Sequence, residues 1–375
     1  MMKKTDLKIA VLTSSRADYG IYRPLLFELR LNGIEPSIIA FGTHLSKKHG
    51  YTIKEIEKDK FNILARYDTS PDGDRPYDIV ESMALTQKSM NELWKNQAFD
   101  LVFALGDRYE MASAVASALP YGIRIAHLHG GETTLGAIDN AFRHSITHMS
   151  GLHFAASELY KERIIELTGK DDNVYNVGAL SIDNLDSIDF LSPRQIKDRI
   201  RIDLQQPAIL VTIHPETVKP EQNHEYIRET ISAFRKIKDY QFLITLPNAD
   251  TESDSWRQAL NSFAEGNPGV FVFENLGAEL YLSCMKHCSF MLGNTSSGFI
   301  EASYFPKYVI NLGSRQEGRI ETPNIHTIKF RESEILAEVE NFRNLNPAGK
   351  NVQIYGTGQA AKNIVSILGD IFAIK

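Results

Sequence analysis

The chain holds 375 residues, enough for two domains with their own apolar cores, and its 43% hydrophobic and 23% charged residues are ordinary for a globular protein in water. A net charge of −6 without a polybasic tract argues against nucleic acid or an anionic membrane as the main partner. No apolar stretch approaches the roughly 18 residues of a membrane span, the run 9–12 behind MMKKTD is too short for a signal sequence, and Cys284 and Cys288, four apart on one expected helix, cannot staple a fold, so a reduced, cytoplasmic protein is expected.

Strand and helix alternate through the first half. Residues 7–13 read as a buried strand, 22–31 as a helix with Leu25, Leu26 and Leu29 on its apolar face, and 35–41 and 61–67 as further strands. A long helix, 77–95, follows the turn-rich SPDGDRP. Strands 101–105 and 123–128, a helix from Asp139, strand 153–156, helix 158–167 and strand 174–177 complete an α/β domain of residues 1–180. The polar stretch 181–207 reads as a linker with helical pieces. A second alternating set spans 181–357, with strands at 208–213, 241–246, 270–273, 290–292 and 308–312 and helices at 223–238, 255–263 and 278–287. A last helix, 359–371, closes the chain. Two such domains are expected to leave a ligand cleft between them.

Segment 101–144, LVFALGDRYEMASAVASALPYGIRIAHLHGGETTLGAIDNAFRH, is the most informative. Loops at the carboxyl ends of parallel strands share one sheet edge, where ligands bind. Asp107 and Glu132 follow neighbouring strands, with Glu110, Asp139, Arg143 and the histidines 127, 129 and 144 close by, an apparatus suited to moving protons. Taken singly, Asp107 also fits a helix cap and Gly130-Gly131 a simple turn.

Three other loops carry polar groups. Thr13 to Gly20 offers hydroxyls, Arg16 and Asp18 ahead of a helix, either an anion site or a plain cap. Gly293 to Glu301 follows a strand and opens a helix; its N–H groups and hydroxyls suit a diphosphate, and Glu301 suits ribose hydroxyls. His214 ends a strand and either faces the cleft or caps a turn. Gly356-Thr357-Gly358 lies too near the end of the chain for a dinucleotide fingerprint and reads as a helix start. His127 and His129 on one strand face, and His144 and His148 four apart on a helix, have metal-like spacing but lack an H-E-x-x-H pattern or a cysteine set, so no metal is expected.

SSRADYG, GDRYE, HLHGGETTLGAIDNAFRH, VTIHPET, GNTSSGFIEA and GSRQEGR, in this order along essentially the whole chain, resemble the hydrolysing UDP-N-acetylglucosamine 2-epimerases of sialic acid biosynthesis. The resemblance implies two Rossmann-like doubly wound domains of the glycosyltransferase-B type, with the C-terminal helix, 358–375, packing back on the first domain. Non-hydrolysing relatives carry a Glu where His129 stands and a Glu-Glu pair at Asp139-Asn140, so this chain follows the hydrolysing branch. It implies Asp107, Glu132 and Asp139 in catalytic motifs. Substrate contacts would come from Arg16, Asp18, His44, Arg143 and His214, and UDP contacts from Asn294, Ser296, Ser297, Gly298 and Glu301, with Arg315 and Arg319 near the diphosphate or sugar. No cofactor is implied, the partner is a UDP-sugar, and a homodimer or homotetramer is expected.

The implied chemistry is elimination of UDP to 2-acetamidoglucal, then hydration to N-acetylmannosamine. The same chemistry on UDP-2,4-diacetamido-2,4,6-trideoxyglucose, in legionaminic acid biosynthesis, is the first alternative. The polar residues His44, Ser46, Asp68, Asp72 and Asp74 favour a hydroxylated sugar, although they also fit solvated loops. A glycosyltransferase on the same fold would need an acceptor groove, for which no signature is visible, and a nucleotide-sugar sensor would release no product.

Overall fold

The computed structural model describes residues 7–248, 250–345, 349–350 and 352–373. The chain divides into two units, Met1–Glu132 with Asp139–Ser187 and Tyr355–Lys375, and Thr133–Ile138 with Ile188–Ile354.

The first unit contains β1 (Ile9–Thr13), α1 (Arg16–Leu31), β2 (Ser37–Phe41), α2 (Ile53–Lys58), β3 (Asn62–Tyr67), α3 (Pro76–Asn96), β4 (Leu101–Leu105), α4 (Tyr109–Ala118), β5 (Ile125–Leu128), α5 (Asp139–Met149), β6 (Leu152–Ala155), α6 (Glu158–Thr168), β7 (Val174–Asn176) and α7 (Leu180–Ser187). Its strands form one parallel sheet in the order β3-β2-β1-β4-β5-β6-β7. β1 and β4 are buried at every position because helices cover both faces. Ile9, Val11 and Phe103 join the core with Leu25 and Leu29 of α1, while Ala10, Leu12 and Val102 join Met90 of α3 and Val115 of α4.

The second unit contains α8 (Pro193–Ile200), β8 (Ala208–Thr212), α9 (Asn223–Lys236), β9 (Gln241–Thr245), α10 (Ser253–Ala264), β10 (Val270–Phe273), α11 (Gly277–His287), β11 (Phe290–Gly293), α12 (Glu301–Tyr304), β12 (Val309–Leu312), β13 (Ile325–Ile328) and α13 (Glu332–Asn344). The parallel sheet order is β10-β9-β8-β11-β12-β13. The last helix, α14 (Ala360–Ile371), belongs to the first unit. The Asp183 carboxylate on α7 accepts from the N–H groups of Ala360 and Ala361 at 2.9 and 2.7 Å, and Ile364 and Leu368 enter the core beneath α1. In each sheet the strand order reverses once, between β1 and β4 and between β8 and β11, and ligands bind at such points.

Several sequence expectations change. α1 starts at Arg16, six residues ahead of the expected Tyr22, because Ser15 and Asp18 form a capping box. Residues 181–207, read as a linker with helical pieces, hold most of α7 and all of α8, and Ile182, Leu185, Leu191, Ile196, Ile202 and Leu204 are buried. The short helix α2, β13 and α13 were not anticipated.

Candidate active site

The loop after β1 is shaped from within by Asp18. Its carboxylate accepts from the N–H groups of Ser14, Ser15 and Tyr19 at 2.7, 2.9 and 2.8 Å, and from Thr13 Oγ1 at 2.9 Å. His44 is fully buried beside it, with Nε2 2.9 Å from Thr13 Oγ1 and Nδ1 2.9 Å from Thr52 Oγ1. Burial lowers the His44 pKa, and nearby Asp18 opposes that shift. The polar atoms of Asp18 and His44 thus hold the shape of this loop. Arg16, on the first turn of α1, is partly exposed.

Two neighbouring strand ends and one helix build an acidic centre. After β4, Gly106 turns the chain at φ +80 and Asp107 follows. Asp107 is not the cap of α4, a position that Arg108 takes. After β5 the chain leaves the sheet at His129, whose φ of +60 lies in the left-handed region, and passes through Gly130-Gly131 to Glu132. A Cβ on Gly131 would stand 2.2 Å from the Tyr160 carbonyl oxygen, and its φ is +75, so only glycine fits there.

Arg143, on α5, gathers this loop. Its Nη1 donates to His129 O at 2.9 Å and to Glu132 Oε2 at 3.1 Å, and its Nη2 donates to Asp107 Oδ2. The other Glu132 oxygen, Oε1, lies 2.7 Å from His129 Nδ1. Side-chain exposure is 1% for Glu132 and 2% for Arg143, but 24% for Asp107. One guanidinium therefore bridges two carboxylates in different environments. Asp139, also buried, begins α5 four residues before Arg143, on the same helix face. Arg143, expected among the substrate contacts, braces the two carboxylates.

His127, inside β5, donates from Nε2 to Gly106 O at 2.8 Å and has Nδ1 3.1 Å from Thr147 Oγ1. It ties the β4 turn to the β5 end, a role its sequence position did not reveal. Burial pushes its pKa down to about 3. The strand ends before His129, so the two histidines do not share a strand face. Among the described residues, no group of three His, Cys, Asp and Glu side chains is arranged to hold a metal ion.

In the second unit, Asn294 follows β11 and is fully buried. Its Oδ1 accepts from His214 N at 2.7 Å and its Nδ2 donates to His214 O at 2.8 Å, clamping the β8 end to the β11 end at the switch point. Gly293 permits this approach, since a Cβ there would meet the Thr212 carbonyl oxygen at 1.9 Å. Gln316 donates to Asn294 O at 2.7 Å and accepts from Arg319 Nε at 2.5 Å. Asp250 Oδ2 lies 3.5 Å from Arg315 Nη2 and 3.9 Å from His214 Nδ1. Glu216, absent from the sequence candidates, is 3% exposed and accepts from the N–H groups of Ser314 and Arg315 at 2.6 and 3.2 Å.

Ser296 to Gly298 form one tight 3-10 turn, and α12, with Glu301 at its start, has four residues. The helix that opens there is this short, so any anion affinity rests on hydroxyls and N–H groups more than on a helix dipole. Ser297 Oγ lies 2.7 Å from Tyr281 OH, whose pKa burial raises to about 12. The segment Thr133–Ile138 packs with this unit: Leu135 N donates to Glu317 O at 2.9 Å and Ile138 N to Thr217 Oγ1 at 3.0 Å.

Two Rossmann-like α/β units, each with polar loops at its switch point, define a protein of the glycosyltransferase-B fold class. The UDP-N-acetylglucosamine 2-epimerase family model matches residues 28–369, and the chain belongs to that enzyme family. It is 35% identical over 320 residues to GDP/UDP-N,N'-diacetylbacillosamine 2-epimerase (hydrolyzing) of Campylobacter jejuni, covering 85% of this chain and 83% of the relative. It is 32% identical over 375 residues to polysialic acid biosynthesis protein P7 of Escherichia coli, covering 98% and 95%. The crystal structure of Methanocaldococcus jannaschii UDP-GlcNAc 2-epimerase with UDP-GlcNAc and UDP is similar in fold, with a TM-score of 0.81 at 18% identity over 97% of this chain and 100% of that one.

Proposed function

We propose that the protein is a hydrolysing 2-epimerase that converts UDP-N-acetylglucosamine and water to N-acetylmannosamine and UDP. The observation that carries this reading is the single guanidinium of Arg143 holding Asp107 and Glu132, with Asp139 at the start of the same helix. C2–H of a hexosamine is barely acidic. As the C1–O bond to UDP breaks, positive charge grows at C1, the C2 proton becomes removable and its electron pair forms the C1=C2 bond of 2-acetamidoglucal. Water then adds at C1 and a proton is delivered to C2 from the opposite face. Carboxylates in unlike environments suit these two opposed proton transfers. The greater exposure of Asp107 supports it as a group that meets the substrate.

Asn294, Ser296, Ser297, Gly298, Glu301, Arg315 and Arg319 are the proposed UDP-holding set, with His214 and Arg16 on the substrate. Asn294 acts there by holding the His214 backbone, and Arg319 through Gln316. The hydrolysing outcome is supported by the C. jejuni relative, whose name states it, and the N-acetylated hexosamine by the E. coli relative, named for polysialic acid biosynthesis and matched almost end to end. A second reading, the same reaction on UDP-2,4-diacetamido-2,4,6-trideoxyglucose, is favoured by the diacetylbacillosamine named for the C. jejuni relative. Side-by-side kcat/KM values decide between them: the expected preference is for UDP-N-acetylglucosamine, and a clear preference for the 6-deoxy sugar reverses the assignment.

A further inference from the structure

His129 combines three features that a plain turn residue does not need. Its backbone sits at φ +60, a conformation unfavourable for a residue with a Cβ. Its side chain is buried, 8% exposed, yet Nε2 has no hydrogen-bond partner among the described residues. Leaving a buried polar atom unpaired is costly. The third feature is the contact between Nδ1 and Glu132 Oε1 at 2.7 Å.

A carboxylate held by a guanidinium accepts and does not donate, so Nδ1 carries the proton in that contact and the tautomer is set. Of the two Glu132 oxygens, Oε1 then accepts from His129 and Oε2 from Arg143. Arg143 also holds the His129 carbonyl at 2.9 Å, and His129 N donates to Phe154 O of β6 at 3.1 Å. The unfavourable φ aims the imidazole back along its own turn, where it reaches a carboxylate three residues on.

We infer that His129 is a positioning residue for Glu132: its Nδ1–H fixes the rotation of the carboxylate, and the strain of the turn is tolerated for that purpose. The inference rests on the function proposed above, in which Glu132 handles a proton.

Two substitutions separate positioning from mere packing. Asn tolerates positive φ and its amide can donate to Oε1, whereas Gly relaxes the backbone fully but offers no donor. His129→Gly should lower kcat about 10²-fold, with KM and UDP affinity within about threefold of wild type. His129→Asn should recover most of that loss. In a Glu132→Gln background, followed by single turnover at high enzyme concentration, adding His129→Gly should cost less than about threefold more, because the residue acts through Glu132.

An Asn variant as slow as the Gly variant overturns the inference, as does a Gly variant near wild-type rate. A full second loss in the Glu132→Gln background does the same. Wild-type enzyme that turns over neither UDP-sugar overturns the proposed function itself, and the inference with it, so the two failures are distinct.

Discussion

Arg143 shows how one side chain can organise an acidic centre. Its guanidinium reaches Asp107, Glu132 and the His129 carbonyl, and a planar fork with fixed donors does this where a lysine would not. Asp107→Asn, Glu132→Gln and Asp139→Asn should each lower kcat by about 10²–10⁴-fold while UDP binding by calorimetry stays near wild type. Three amide variants with near-normal turnover would remove these residues from the reaction. His127 gives a stability prediction of definite sign. Its folded pKa of about 3 lies below the ordinary 6.5, so the folded state refuses a proton that the unfolded chain accepts. The resulting stability is complete above about pH 6.5 and declines towards pH 3, with a slope of up to about 1.4 kcal/mol per pH unit. His153, lowered to about 4 chiefly by burial, adds the same sign. The thermal midpoint should therefore fall between about pH 7 and about pH 5; a level or rising midpoint contradicts this.

At the scale of elements, the segment Thr133–Ile138 stands out because it joins Glu132 to Asp139 while packing with the second unit. A Cβ on Gly136 would lie 2.3 Å from the Ser314 carbonyl carbon and oxygen and 2.5 Å from Arg315 N, backbone atoms with no freedom to retreat. Gly136→Ala should therefore lower both the melting temperature and the turnover rate, and a variant matching wild type in both would show that the packing gives way. Gly130, whose added Cβ would meet the His127 ring at 2.9 Å, faces a side chain instead and should tolerate alanine better. The strands were legible because fully buried parallel strands read as continuous apolar runs, as in IAVLT and LVFAL. The acidic centre was legible because sheet order carries successive strand ends to one edge. Individual roles were not: Arg143 as a brace in the first unit, and Glu216 holding the Ser314 turn and Asn294 holding His214 in the second, all depend on pairings more than ten residues apart. The burial within residues 181–207 was not legible because apolar residues are interspersed there with as many charged ones. β13 was missed because IHTI alternates with polar neighbours at a sheet edge.

At the scale of the molecule, the candidate residues divide between the units: carboxylates and Arg143 in the first, Asn294 to Glu301, Arg315 and Arg319 in the second. On the proposed reading UDP is held mainly by the second unit. Ser297→Trp, in the half-buried turn beside Tyr281, should abolish UDP binding by calorimetry, and unchanged affinity would relocate the nucleotide site. The central claim is elimination followed by hydration, driven by carboxylates and without hydride transfer. Its most direct test is incubation of the protein with UDP-N-acetylglucosamine in D₂O, without any acceptor, with the products followed by NMR. The account predicts UDP together with free N-acetylmannosamine bearing one deuterium at C2. N-acetylmannosamine formed with full protium at C2 would contradict it.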